Sequence, residues 1–170
     1  MSIFAKLGAV FQVARLALLM LLLGITAACS ADNQGTFHTA KGTYTFNLEM
    51  ADTEAERERG LMFRTTLAPD AGMLFDYHHE QLAYFWMQNT LIPLDMIFIG
   101  EDGIVKTIHV NARPMDTTPI PSQVPVRFVL EIAGGRSVEI GLKAGDKFDN
   151  PRVGSPMDQS SSSASSSSAQ

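Results

Sequence analysis

The sequence of 170 residues contains only one cysteine, Cys29. A single cysteine excludes an intramolecular disulfide framework and any metal site built from several thiolates. Basic residues are also few, since 13 Lys and Arg against 18 Asp and Glu give a net charge of −5, and no basic run is present. Binding to a phosphate backbone needs clustered cations, so we expect no nucleic-acid partner.

The chain also lacks an apolar run of the length that crosses a membrane. The run Leu16–Ile25 follows Lys6 and Arg15 and ends in small residues before Cys29. A basic start, a short apolar run and small residues at the end are typical of a signal peptide, whereas a transmembrane helix needs about 20 apolar residues. We predict a signal peptide over residues 1–28, and its removal changes the net charge to 11 − 18 = −7.

The position of Cys29 directly after Ala27 and Ala28 resembles a bacterial lipoprotein signal, although Thr26 stands where leucine is usual. The alternative is ordinary cleavage that releases a periplasmic protein with a free thiol. Such a thiol is a liability in an oxidising compartment, so we predict that Cys29 is lipidated and anchors the chain. By analogy with enteric sorting rules, Ser30 favours the outer membrane.

Short alternating apolar segments predict a mainly β-structure. Residues 44–50 alternate apolar and polar side chains, the period of a half-buried strand. Further strands are predicted at 73–77, 84–87, 94–99, 104–110, 126–133 and near Phe148. The fold class is therefore a compact, mostly antiparallel β-barrel or sandwich with one or two short helices.

Punctuating residues complete the predicted organisation. Thr53 and Glu56 form a capping-box signature for a helix over 54–59, and a second helical turn is predicted at 136–142. Four prolines make residues 111–125 an irregular loop that cannot join a central strand. We predict a lipidated tether over 29–36, one domain over 37–153 and a disordered serine-rich tail over 154–170.

One block of the sequence is too particular to be explained by composition. It begins Phe85-Trp86-Met87-Gln88-Asn89-Thr90 and continues with Pro93-Leu94-Asp95 and Phe98. With Gly60-Leu61-Met62, Gly72-Met73-Leu74-Phe75, Leu130-Glu131 and Gly145-Asp146, it resembles the family catalogued as domain of unknown function 192. The resemblance implies a small β-rich domain, often exported in bacteria, whose activity is not established. Gln88 stands where many members carry lysine.

The polar residues of this block are the candidate binding site. We predict that Trp86, Asn89, Thr90 and Asp95, together with Arg113 at the start of the proline-rich loop, bind a polar ligand. A sugar suits this set, because an indole stacks on C–H surfaces while amide and carboxylate groups bond hydroxyls. In the alternative, Asn89, Thr90 and Asp95 bond nearby backbone and only hold the loop.

Asp95, Glu131 and His109 are the weak candidates for acid–base catalysis. Asp95 with Glu131 is the glycosidase-like pair to test. The alternatives are an ion pair between Glu131 and an arginine such as Arg64, and a surface role for His109. No Gly-x-Ser-x-Gly elbow is present, so a conventional acyl-enzyme nucleophile lacks support.

No metal site and no cofactor are predicted. His78, His79 and Glu80 are consecutive, and neighbours on an extended strand point to opposite faces. The methionines of the domain suit copper(I) chemically, but most lie among apolar strand residues, where core packing is the simpler interpretation.

We therefore interpret the chain as an exported, lipid-anchored, periplasm-facing domain that binds an envelope glycan or a protein partner. The first alternative is a hydrolase-like enzyme that acts on envelope carbohydrate with Asp95 and Glu131. The second is a structural or assembly role without a ligand. The sequence leaves open whether the protein is an enzyme.

Overall fold

A computed structural model describes residues 33–153. The predicted signal peptide, the predicted lipidation site Cys29 and the serine-rich tail lie outside the described residues. Within residues 33–153, no helix has the length and apolar character needed to cross a membrane.

Nine strands and two short helices make up the domain. The strands are β1 (Gln34–Thr39), β2 (Gly42–Ala51), β3 (Ala71–Gln81), β4 (Tyr84–Phe85), β5 (Leu94–Ile99), β6 (Val105–Ala112), β7 (Ile120–Pro121), β8 (Val126–Ala133) and β9 (Lys147–Asp149). The helices are α1 (Glu54–Arg59) and α2 (Arg136–Ile140). The fold is mainly β, as predicted.

Seven strands form one sheet in the order β6-β5-β8-β3-β2-β1-β9, and the sheet curls into a half-barrel. Its pairs are antiparallel except for β2 and β3, which are parallel and are connected through α1. A parallel pair needs such a crossover connection, whereas antiparallel neighbours need only a turn. β4 and β7 form a separate two-stranded sheet.

Local sequence signals account for α1. The Thr53 hydroxyl accepts a hydrogen bond from the Glu56 backbone N–H, and the Glu56 carboxylate accepts one from the Thr53 backbone N–H. This reciprocal capping box was predicted from the two residue types. Gly60 ends the helix with φ 46° and ψ −134°, a conformation that is open to glycine and strained for other residues.

The large sheet is buried on both faces. Alternate residues of its strands enter two separate apolar clusters, one around Phe37, Leu74 and Phe128 and the other around Phe75 and Phe98. All six residues of β5 are buried, so this strand packs on both of its faces. The register of β5 and β8 therefore decides which side chains meet on which face.

The observed elements differ from the predicted ones in several places, and three of the differences follow. β1 begins at Gln34, so residues 34–36 belong to a strand and not to the predicted tether. β4 is shorter than predicted and ends at Phe85. The proline-rich loop contains β7, which pairs with β4 outside the large sheet, as the prolines require.

Candidate functional site

Residues 86–90, which we call the signature loop, follow β4 directly. Backbone hydrogen bonds hold the loop to two other segments of the chain. The Phe63 N–H donates to the Asn89 carbonyl at 2.8 Å, and the Met115 N–H donates to the Thr90 carbonyl at 3.1 Å. The Met87 N–H donates to the carbonyl of Asp116 at 2.8 Å. The loop is thus fixed by residues that lie far away in the sequence.

Three non-glycine residues with positive φ meet at this loop. Phe63, Asn89 and Met115 have φ of 64°, 55° and 62°. Such a backbone is uncommon outside glycine and asparagine, and strained residues of this kind cluster at functional sites. Phe63 and Met115 are moreover exposed, so core packing does not explain their presence.

A pocket of about 310 Å³ opens beside the signature loop, and we call it the signature pocket. It lies between α1, the segment after α1, β3, β4, the signature loop and β8. Its lining consists of Glu54, Arg57, Glu58, Arg59, Gly60, Leu61, Met62, Phe75, Tyr77, Gln81, Tyr84, Phe85, Trp86, Thr90 and Glu131. Ligand sites are commonly concave, aromatic and supplied with a few polar groups, and this pocket has that composition.

The signature pocket contains a buried carboxyl group. Glu131 of β8 is 5% exposed. Its carboxyl group forms no hydrogen bond and no ion pair with another residue of the described range 33–153. Burial raises the pKa of Glu131 to about 8, because water no longer stabilises the charged form. The group therefore keeps its proton at neutral pH.

The walls of the pocket are aromatic. Trp86 and Tyr84 are about half exposed, while Phe75 and Phe85 are buried and meet edge to face with ring centroids 5.0 Å apart. Burial raises the pKa of Tyr77 above its usual value; Arg57 opposes this shift, whereas Glu131 adds to it. Tyr77 therefore stays neutral at physiological pH.

The Arg57 guanidinium does not pair with Glu131. It donates hydrogen bonds to the backbone carbonyls of Asp52 and Asp76, and it lies 5.3 Å from the centroid of the Tyr77 ring. The cation is therefore occupied by backbone oxygens and by one aromatic face. Arg59, also in the lining, is exposed and forms no ion pair with a described residue.

The structure divides the predicted binding residues into two groups. Trp86 and Thr90 line the signature pocket together with Glu131. Asn89 does not line it; its carbonyl accepts the Phe63 N–H and its side-chain amide contacts the Met62 sulfur at 3.9 Å. Asn89 thus holds the loop, in agreement with the alternative interpretation of its side chain.

Asp95 is fully buried and does not line the signature pocket. Its Oδ1 accepts hydrogen bonds from the backbone N–H groups of Asn111 (2.7 Å) and Gly135 (2.8 Å). Its Oδ2 accepts them from the backbone N–H and the hydroxyl of Ser137, at 2.8 and 2.6 Å. Four donors occupy the carboxylate, so Asp95 has the geometry of a structural residue that caps the start of α2.

Asp95 and Glu131 do not form the predicted glycosidase-like pair. In the antiparallel register, Asp95 is opposite Ile132 and Met96 is opposite Glu131. Paired residues share a face of the sheet and successive residues alternate, so the two carboxylates point to opposite faces. The hypothesis of a catalytic pair from these two residues is wrong.

The expected pair of Glu131 with Arg64 is also wrong. Arg64 instead forms a bidentate ion pair with Glu49 at the surface. The hydrogen bonds from Arg64 lower the pKa of Glu49. A buried ion pair between Arg127 and Asp76 was not predicted from the sequence. Its Nε–Oδ1 distance is 3.0 Å and its Nη2–Oδ2 distance is 3.2 Å.

His109 and Arg113 lie in a separate cavity of about 210 Å³ with the proline-rich loop. Both side chains are exposed, and neither reaches the signature pocket. His109 is thus not a partner of Glu131. Arg113, predicted to flank the binding residues, lines this cavity and not the pocket that Trp86 and Thr90 line.

The described residues contain no group of three or more His, Asp or Glu side chains positioned to hold a metal ion. His78 bonds the Asp52 carbonyl through its ring at 3.0 Å, and His79 and Glu80 are exposed. Met73, Met87 and Met96 are buried in one apolar cluster, which agrees with the core-packing interpretation.

Several solved structures are similar to the chain, and two of them illustrate the likeness. One is a protein of unknown function from Novosphingobium aromaticivorans DSM 12444, with 46% identity and a TM-score of 0.67 over 68% of this chain and 83% of that chain. The other is a candidate transcription regulator from Sinorhizobium meliloti 1021, with 41% identity and a TM-score of 0.68 over 70% of this chain and 93% of that chain. No curated protein matches the sequence.

The family profile covers the part of the chain that carries the signature loop and the pocket. The profile of DUF192, described as an uncharacterised ACR, matches residues 36–149. This range includes all the strands apart from the first two residues of β1. The chain therefore belongs to the DUF192 family, whose function is uncharacterised.

Proposed function

We propose that this protein is an exported, lipid-anchored envelope protein whose domain binds envelope carbohydrate in the signature pocket. The observation that carries the proposal is the exposed indole of Trp86 in the same pocket as the unpaired, buried carboxyl of Glu131. An indole offers a flat apolar face for the C–H surface of a sugar ring, and a carboxyl bonds its hydroxyls. The volume of about 310 Å³ is at the lower end of ligand pockets and suits a short saccharide.

Binding is tested by isothermal titration of the purified mature protein with peptidoglycan fragments and simple sugars. Trp86→Ala should reduce the affinity at least tenfold, because it removes the stacking face. Val138→Ala is the matched control, since Val138 is also an exposed apolar residue and lies outside the pocket. A flat titration with every saccharide argues against the proposal and leaves a protein partner or a purely structural role, which cross-linking in whole cells would separate.

The lipid anchor is a separate part of the proposal, and it has its own test. Its support is the order of Lys6, Arg15, the apolar run 16–25 and Cys29. Labelling with a fatty acid in cells should modify the wild type and not Cys29→Ala, and only the wild type should sediment with the outer membrane. An unlabelled protein free in the periplasm would show that cleavage without lipidation is correct.

A hydrolase acting on envelope carbohydrate is the second candidate, and one observation favours it. Burial raises the pKa of Glu131 to about 8, so the group retains the proton that a general acid delivers at neutral pH. A second carboxylate in the pocket would come from Glu54 or Glu58, since Asp95 lies on the other face. The test is release of reducing ends from peptidoglycan, which Glu131→Gln must abolish; binding without release argues against the enzyme.

A further inference from the structure

The carboxyl group of Glu131 is largely buried and forms no hydrogen bond with another residue of the range 33–153. Within residues 33–153, the other buried polar side chains have hydrogen-bond partners, as the fourfold-bonded Asp95 and the paired Asp76 illustrate. No fully enclosed side-chain nitrogen or oxygen of this range lacks a partner, so the Glu131 carboxyl is buried in the wall of the pocket and is not sealed in the core. Met73 and Met96 are opposite Glu131 in the sheet register and share its face of the sheet. Their side chains contain no hydrogen-bond donor. A buried ionisable group without a partner is unfavourable unless a ligand supplies the partner.

The absence of a side chain at Gly60 leaves room for a ligand beside the Glu131 carboxyl. The ideal Cβ position of Gly60 lies 3.8 Å from Glu131 Oε2 and 3.2 Å from Cζ of Phe75. A side chain at position 60 would therefore occupy the space beside the carboxyl. Because Gly60 has no side chain, the carboxyl remains open to the pocket.

The residues around Glu131 indicate the charge of the ligand that would bind to it. Arg57 is held by two backbone carbonyls and faces Tyr77, so it does not neutralise Glu131. A glutamine at position 131 would bond a sugar hydroxyl without the cost of burying an ionisable acid. A cation, in contrast, recovers that cost by forming an ion pair, and the π face of Trp86 adds attraction for the same charge.

We propose that the pocket selects a sugar carrying a free, protonated amine, which pairs with the Glu131 carboxylate beside the indole of Trp86. This inference rests on the proposed carbohydrate binding and specifies the group that is recognised. On binding, the neutral acid Glu131 loses its proton to solvent and the ammonium of the ligand replaces it. Each binding event therefore releases one proton and leaves an ion pair in the pocket.

Between pH 5 and 7, Glu131 is the group in the pocket whose charge this binding changes. Glu54, Arg57, Glu58 and Arg59 of α1 face the pocket, as do Tyr77 of β3 and Tyr84 of β4. The pKa of Tyr77 is raised by burial, so its proton stays bound. On β2, the pKa of Glu49 is lowered by its pair with Arg64, so that carboxyl stays ionised. The pocket lining contains no histidine.

The experiment compares two ligands that differ in the amine alone, a glucosamine oligomer and the N-acetylglucosamine oligomer of equal length. Titration calorimetry of the mature protein at pH 6, in two buffers with different ionisation enthalpies, gives both affinity and the number of protons released. We expect at least tenfold tighter binding of the glucosamine oligomer, with release of about one proton. Glu131→Gln should lose both the preference and the release, while Glu139→Gln on α2, which is exposed and outside the pocket, should keep both.

The outcomes separate the two proposals. Equal binding of both oligomers, or a preference for the acetylated one, overturns the amine inference and leaves the carbohydrate proposal standing. A preference for glucosamine that persists unchanged in Glu131→Gln, or that releases no proton, also overturns the inference, because general charge attraction then explains it. Binding of neither oligomer, nor of any other saccharide, overturns both proposals.

Discussion

The Asp95 carboxylate of β5 caps the start of α2 at Ser137. The backbone N–H and the hydroxyl of Ser137 both donate to Asp95 Oδ2, at 2.8 and 2.6 Å. The residue at the N-cap position, Gly135, has no side chain to perform this role, and its own N–H donates to Asp95 as well. The capping group of α2 thus comes from a strand 40 residues earlier in the chain. This explains why a carboxylate is buried in a strand that has no exposed residue.

Replacement of Asp95 by Asn should destabilise the fold. The amide NH₂ cannot accept from Ser137, so two buried donors lose their partner, at a cost of about 2 to 4 kcal/mol in the free energy of unfolding. Tm in a thermal scan should fall by roughly 10 °C. The control Asp102→Asn, at an exposed turn carboxylate, should change stability by less than about 1 kcal/mol. An Asp95→Asn variant as stable as the wild type would contradict the structural role.

Glu131→Gln should make the protein less sensitive to rising pH. The pKa of Glu131 is raised from 4.5 to about 8 in the folded state, so between these values the unfolded chain releases a proton that the folded chain keeps. The contribution of Glu131 to the free energy of unfolding is therefore greatest below pH 4.5 and is lost as pH rises through about 8. Relative to the variant, this loss reaches about 4 to 5 kcal/mol, since each pH unit contributes about 1.4 kcal/mol.

Urea unfolding of both proteins at pH 5, 6.5 and 8 provides the measurement. Subtracting one series from the other removes the titration of groups that both proteins share. A difference that does not vary with pH would show that Glu131 has an ordinary pKa in the folded chain. The glutamine is nearly the same size, so packing should change little.

Local signals made part of this structure predictable, and long-range register did not. Thr53 and Glu56 are three residues apart, so the start of α1 could be predicted from sequence alone. β5 and β8 could be predicted because apolar residues predominate in both strands, interrupted only by Asp95, Arg127 and Glu131. β1 was missed because Gln34, Gly35 and Thr36 are polar or small; Gly35 is there because any side chain would overlap the ring of Phe148.

The site was only half predictable for the same physical reason. Trp86 and Thr90 belong to the signature loop and were predicted together. Glu131 is 41 positions after Thr90, and its presence in their pocket depends on the pairing of β8 with β3 and β5. A shift of one residue in that register would exchange Glu131 with Ile132 and place the carboxyl on the face of Asp95. No pattern in a single sequence fixes this register.

Removing one partner of the buried ion pair of Arg127 and Asp76 should lower the free energy of unfolding more than replacing both partners. Arg127→Met leaves the Asp76 carboxylate buried without its cation, and we expect a loss of about 3 to 5 kcal/mol in the free energy of unfolding. In the double variant Asp76→Asn/Arg127→Met, the loss should be smaller, because the asparagine carbonyl still accepts the His78 N–H. Denaturant titration of the two variants makes the comparison.

An exposed pair provides the control for this prediction. Arg64→Met removes the pair with Glu49, in which the side chains are 36% and 54% exposed, and should cost less than about 1 kcal/mol. A similar cost for Arg64→Met and Arg127→Met would mean that burial of Arg127 does not determine its contribution. A double variant that is less stable than Arg127→Met would contradict the argument about the uncompensated charge.

Gly60→Ala should damage both the stability and the pocket. At φ 46° and ψ −134° an alanine is strained, and its Cβ would lie 3.2 Å from Phe75 and 3.8 Å from the Glu131 carboxyl. We expect a loss of about 1 to 3 kcal/mol in thermal unfolding. Gly145→Ala is the matched control, because φ there is 95° while its Cβ meets no atom within 4 Å. Gly145→Ala should have the same backbone strain and keep its saccharide affinity, whereas Gly60→Ala should also bind saccharide more weakly. A folded Gly60→Ala variant with unchanged affinity would show that a ligand does not approach Glu131 from the side of Gly60.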